Sequence, residues 1–354
     1  MNASKAVILA QGHRPSSVPG RRSFVRGELA PPPLLPLANR PLLEHALEWL
    51  DAGGLAEVAV LAPEGLSAQT SRAVARAGWR FDLTWLERSP RAGVGASLAG
   101  LADFLGDEPF VLHLADSLSR HPLETLLRHE RPEDGEAIMF VQETAGLGGG
   151  VVDIRARRTA SPFAGHCAPA GVALLGPGVT QAARGVDPAP GHELEHLADF
   201  LQRGGGQVST RRVADWWRLG HDADALLEGN RFALDGIAAD HASASLSRTT
   251  IQGAVVAHRS AVIESSVIRG PAIIGPGALV THSYVGPYTS IGRDVVIEGS
   301  EIEQSIVFPS ARIQHLSGRL ESSVVGAGAR VSREFRLPRA LRVTVGDGAE
   351  VSLA

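Results

Sequence analysis

The sequence predicts an α/β fold, a Rossmann-like and mostly parallel sheet with helices on both faces, followed by a parallel β-helix. Two textures carry that expectation. Up to about residue 236, short apolar runs alternate with helical periods, the pattern of strand–helix units joined by right-handed crossovers. From about residue 247, Val267, Ile273, Leu279, Val285, Ile291 and Ile297 recur every six residues, with Gly275, Gly286 and Gly292 beside turns, as in a stacked hexapeptide coil. A chain of 354 residues is long enough for both domains. We expect an α/β domain over 1–236, a linker over 237–249 and the β-helix over 250–354.

The elements follow in order. AVILA (6–10) reads as the first strand and runs into the loop LAQGHRPSSVPGRR. PLLEHALEWLDAGG places Leu42, Leu43, Ala46, Leu47 and Leu50 on one helical stripe. Further strands are expected at EVAVLA (57–62), LTWLE (83–87), FVLHLA (110–115) and AIMFVQ (137–142), with helices at GASLAGLADFLGD and HPLETLLRHE. Ligands on such sheets bind beyond the carboxyl ends of the strands, which directs attention to residues just after Ala10 and Leu114.

Composition narrows the chemistry. A formal net charge of −4 gives no reason to expect a nucleic-acid or anionic-membrane partner. The N-terminal apolar run is too short for a signal segment, and one cysteine, Cys167, forms no internal disulfide; both predict a cytoplasmic protein. Lys5 is the single lysine among 34 basic residues. Any mechanism needing an ammonium group in a cleft has only that residue to use.

Several stretches then point to a family. LLPLANRPLLEHALEWLDAGG, PRAGVGASLAGLADFLGDEPFVLHLADSL, ELE (193–195), WW followed by LLEGNRFALD, SYVGPYTSIG and PRALRVTVGDGAEVSL resemble sugar-1-phosphate nucleotidylyltransferases over nearly the whole length. The likeness is to long-form glucose-1-phosphate thymidylyltransferases, whose C-terminal domain is a left-handed β-helix. It implies attack of a sugar phosphate oxygen on the α-phosphate of a nucleoside triphosphate. Positioning and charge neutralisation carry such a reaction, through a glycine-rich loop, lysines and a Mg²⁺ ion held by two aspartates.

Against that pattern, the loop keeps Gly12 but has Gln11, Arg14, Pro15 and Ser16 where other family residues stand, and Pro32 replaces a lysine. Arg14 and Arg26 are the candidates for phosphate contacts, since a guanidinium binds phosphate as a fork. Arg88 stands at the base-reading glutamine and Gly93 is kept; an arginine lacks the amide's paired donor and acceptor. Asp116 keeps the place of the first metal aspartate and implies a weakly held Mg²⁺, while Leu219 takes the second place, with Asp222 three residues on. Ser161 replaces the sugar-side lysine, and Glu193 is kept as a contact for a sugar hydroxyl. The resemblance therefore implies a degenerate homologue, noncatalytic or strongly impaired. Such a protein would regulate, scaffold or bind a sugar nucleotide in a specialised antibiotic-sugar or deoxysugar pathway.

Two other readings stay open. One is an active transferase with arginines in place of lysines and a different substrate. The other is a repurposed cleft. HELEH (192–196) spells H-E-x-x-H, which places His192 and His196 one helical turn apart, and His113 and His221 fall near the same cleft by the resemblance. Acyl transfer at the β-helix through His258 or His282 has fold analogy alone behind it. The β-helix suggests a homo-oligomer, or a hetero-oligomer with an active paralogue.

Overall fold

The computed structural model describes residues 3–10, 31–65, 67–74, 78–89, 93–143, 167–185, 193–220 and 222–333. Seven strands form the N-terminal sheet: β1 (Lys5–Leu9), β2 (Glu57–Pro63), β3 (Asp82–Arg88), β4 (Phe110–His113), β5 (Ala137–Glu143), β6 (Cys167–Leu175) and β7 (Val208–Arg212). Their order is β7-β5-β6-β4-β1-β2-β3. All pairings are parallel except those of β6, which runs antiparallel to both β4 and β5.

Successive residues of β1 face opposite layers, as a pleated strand requires. Ala6 and Ile8 join one buried cluster with Leu43, Ala46, Leu47 and Leu50 of helix α1 (Leu42–Ala52). Val7 and Leu9 join another with Leu194, Leu197, Ala198 and Leu201 of helix α2 (Glu193–Arg203). The sheet is thus buried on both faces, which is why its strands read as nearly continuous apolar runs.

The five strands expected from sequence are present, whereas β6 and β7 were not anticipated. β6 runs continuously through Pro169 and Gly171, and its register against β5 shifts between Met139 and Val141. Gly171 adopts φ +87°, and its carbonyl accepts a hydrogen bond from the Leu114 N–H at 2.9 Å. That irregularity lies directly beside the end of β4.

The C-terminal region is a three-sided parallel β-helix, its walls holding six, five and five strands among the described residues. Val262 pairs with Leu279 and Leu279 with Val296, so these coils repeat every seventeen residues, not eighteen. A strict count of six therefore drifts off the interior. Val267 and Ile273 are only half-buried and Leu279 is exposed, while the interior is filled by Ile268, Ile274, Val280, Val285, Ile291 and Ile297. The stretch expected as linker already contributes the strand Ser245–Ser247, paired with Val262–Glu264.

Helix α3 (Ala223–Leu234) and a two-residue hairpin join the domains. Pro36–Leu37 pairs with Arg40–Pro41 across Ala38 and Asn39, both left-handed (φ 46° and 60°), the backbone of a type I′ turn. Asn230 of α3 is fully buried and accepts hydrogen bonds from the Ala38 N–H (3.1 Å) and the Ser290 hydroxyl (2.7 Å). Its amide donates to the Tyr288 carbonyl at 3.2 Å, and the Asn39 amide donates to the Ile291 carbonyl. Leu35, Leu37, Leu42, Trp217, Leu226, Ile306 and Phe308 pack around this network.

Candidate functional site

The chain leaves β4 through a tight turn. Ala115 is left-handed (φ 54°), a conformation that costs a residue with a Cβ of order 1–3 kcal/mol. Its N–H donates to His113 Nδ1 at 2.9 Å. The turn delivers Asp116 to the carboxyl end of the parallel strands, where α/β sheets bind ligands. From there Ser117–Ser119 runs antiparallel to Trp216–Arg218.

Asp116 is almost fully enclosed, its side chain 3% exposed. Its Oδ2 accepts a hydrogen bond from Arg218 Nε at 3.0 Å, and Arg218 Nη1 donates to the Pro169 carbonyl at 3.2 Å. Gly171 closes the other side: a Cβ there would stand 2.7 Å from Asp116 Oδ1 and 3.0 Å from the Ser117 hydroxyl. Burial alone would lower the Arg218 pKa, but Asp116, Glu195 and Glu193 reverse that and raise it. Arg218 therefore stays a cation. Its Nη2, like the Ser117 hydroxyl, is buried without a hydrogen-bond partner among the described residues.

His113 lies beneath, 2% exposed, with Trp49 tilted against it at 5.8 Å and Trp216 edge-on to Trp49. Burial pushes its pKa down to about 4; Asp116 opposes this and the Arg218 charge reinforces it. The imidazole is neutral near pH 7. Its Nδ1 is already an acceptor for the Ala115 N–H, so it serves the turn that holds Asp116.

Arg88, at the end of β3, donates from Nη1 to the Ser97 hydroxyl at 3.3 Å, and Ser97 in turn donates to the Gly93 carbonyl at 2.9 Å. Gly93 caps the helix Val94–Ala99. Burial lowers the Arg88 pKa, opposed by the charge of Glu193. Glu193 is buried at the start of α2. The structure thus gathers Asp116, Arg88, Gly93 and Glu193 along one set of strand and helix ends.

Other expected residues are not gathered there. His196 is exposed on α2, away from the buried side that carries Glu193, Leu194 and Leu197. Among the described residues no group of three His, Cys, Asp or Glu side chains lies close enough to share a metal ion. Gly12, Arg14, Arg26, Ser161, His192 and His221 lie outside the described residues. Asp222 caps α3, accepting a hydrogen bond from the Ala225 N–H at 2.9 Å. Pro32 is buried in a 3₁₀ turn. Lys5 sits at the opposite end of β1 from the cleft, donating to the Phe104 carbonyl at 2.7 Å, so the ammonium group of the single lysine is turned away from the site.

Arg218, Ser117 and Gly171 are the participants that the sequence reading missed. A signal for Arg218 was present, because neighbours in a strand face opposite ways. Leu219 packs against the apolar joint with Leu35, Leu37 and Trp217, which leaves Arg218 to face Asp116.

These residues do not fit a Mg²⁺ ion. Mg²⁺ demands octahedral oxygen ligands and keeps several waters. Here one carboxylate oxygen is engaged by a guanidinium, and the second carboxylate is replaced by a leucine in an apolar cluster.

The chain is 31% identical over 338 residues to the low-salt glycan biosynthesis nucleotidyltransferase Agl11 of Haloferax volcanii, covering 91% of this chain and 94% of the relative. It belongs to the nucleotidyltransferase family. Two glucose-1-phosphate thymidylyltransferases are each 29% identical: that of Streptomyces antibioticus, over 99% of both chains, and that of Streptomyces griseus, over 91% of this chain and 93% of the relative. No family model matches. The near-complete coverage brings both the sheet domain and the β-helix into the likeness. No helix among the described residues is long and apolar enough to cross a membrane.

Proposed function

We propose that this nucleotidyltransferase homologue binds a nucleotide, sugar phosphate or sugar nucleotide but transfers nucleotidyl groups poorly or not at all. Its role is then regulatory or scaffolding, in a specialised sugar pathway such as those of antibiotic sugars or deoxysugars. The observation that carries this is the Asp116–Arg218 ion pair, which engages the one retained metal carboxylate while Leu219 faces the joint. The remote position of Lys5 supports it. Thymidylyltransferases among the Streptomyces relatives support the sugar-nucleotide class of ligand. We further propose a cytoplasmic protein that assembles through its β-helix.

The test is pyrophosphate release with each nucleoside triphosphate and a panel of sugar 1-phosphates. Loss of a single preorganised contact costs about 10²–10³ in rate, and several are lost here, so turnover should fall to background. Turnover comparable with ordinary family enzymes overturns the proposal in favour of an active, Arg-based transferase. A thermal-shift screen with the same compounds should find a ligand, which at 100 times its Kd stabilises the fold by about 2.7 kcal/mol.

A further inference from the structure

The cation beside Asp116 is part of the chain. Arg218 Nε meets Oδ2 at 3.0 Å, the Pro169 carbonyl fixes Nη1, and the Gly171 backbone stands against the opposite carboxylate oxygen. The carboxylate is therefore held between a guanidinium and the Gly171 backbone, and the oxygen bonded to Arg218 is already taken by a cation. Arg218 Nη2 and the Ser117 hydroxyl lie on paired strands, Arg218 opposite Ser117, both buried and both without a partner among the described residues. Buried polar groups left unsatisfied are costly, and a pair of donors beside a retained charge is a place for an oxygen-rich anion to complete the set.

We infer that Arg218 is a protein-borne substitute for the divalent ion: the cleft is metal-free and meets a phosphate group of its ligand with Arg218 Nη2 and the Ser117 hydroxyl. A guanidinium offers directional N–H donors and one positive charge, where a metal ion offers two charges and Lewis acidity. The ligand class rests on the function proposed above; the metal independence does not.

Titration of the full-length protein with Mn²⁺, read by the electron-spin-resonance signal of the free ion, tests this directly. The wild type should take up no Mn²⁺ at Asp116. One bound ion that disappears in Asp116→Asn overturns the inference. The double variant Arg218→Gln/Leu219→Asp, its fold checked by thermal denaturation, should gain one bound Mn²⁺. If it folds and gains none, the assignment of this carboxylate face as the cation position fails; if it does not fold, the wild-type titration decides. Inorganic pyrophosphate is the second probe. Its affinity by calorimetry should be equal in EDTA and in Mg²⁺ and should fall at least tenfold in Arg218→Gln. Absence of binding, or binding that needs Mg²⁺, overturns the phosphate role. Turnover in the pyrophosphate-release assay that survives EDTA would defeat the noncatalytic reading and leave this one standing.

Discussion

The cleft at Asp116 and the joint at Asn230 use the same devices, yet they finish them differently. Each places a buried polar side chain beside left-handed residues that carry a Cβ: Ala115 in the cleft, Ala38 and Asn39 in the joint. In the joint, Asn230 Oδ1 accepts from two donors and its amide donates to a carbonyl, so the network is closed within the protein. In the cleft, Arg218 Nη2 and the Ser117 hydroxyl stay buried without partners among the described residues. A satisfied polar network specifies how two bodies fit, whereas an incomplete one is kept where something else completes it. The difference separates the part of the family plan that holds the domains together from the part whose chemistry has changed.

The largest effect expected from breaking this contrast is on the ion pair. Asp116→Ala leaves a buried guanidinium with the more distant charges of Glu193 and Glu195 and should cost about 3–5 kcal/mol in urea denaturation. A loss below about 1 kcal/mol would mean that the pair is worth no more than an exposed surface bridge.

Next comes acid sensitivity at His113. Its folded pKa of about 4 lies below the ordinary 6.5, so the unfolded chain binds the proton more readily. The contribution is whole above pH 6.5 and is lost as pH falls from 6.5 to 4, amounting to about 3 kcal/mol. A His113→Asn variant should show a shallower fall over that interval.

Asn230→Ala should cost about 2–3 kcal/mol by stranding the Ala38 N–H and the Ser290 hydroxyl in the joint, while pyrophosphate binding at the cleft stays unchanged. Equal damage to both would show that cleft and joint are one cooperative unit. The smallest effect is Asp222→Ala, which removes a helix cap and should cost about 1 kcal/mol with no change in ligand or metal binding. A change in metal uptake there would revive Asp222 as a substitute carboxylate.

How much of this was legible in the sequence depended on the range of the interactions. Strand–helix alternation is local, so β1 to β5 and α1 could be read from apolar spacing. β6 could not, because a strand buried between two antiparallel neighbours is apolar throughout, and Pro169 and Gly171 read as breakers when they mark an irregular pairing. The β-helix was legible as a kind of fold, but its interior was not, since five- and six-residue steps mix within seventeen-residue coils. In the cleft, Asp116, Arg88, Gly93 and Glu193 came from the resemblance. Arg218 did not, since its partner lies 102 residues away and its role depends on which side of a short strand faces inward. Of the zincin-like HELEH, His192 lies outside the described residues, and the buried side of α2 belongs to Glu193 and not to His196.

The seventeen-residue coil also fixes how the C-terminal column tolerates editing. Excising 262–278 would set Leu279 beside Ser245, the neighbour that Val262 now has, and every rung would rejoin one storey shorter. Removing six residues instead would carry each following segment round the corner to the neighbouring wall and break its pairing with the rung it now meets. Single residues are absorbed at the corners, as the steps of sixteen from Val296 to Arg312 and eighteen from Arg312 to Arg330 show, so the column is a spacer whose increment is one storey give or take a residue.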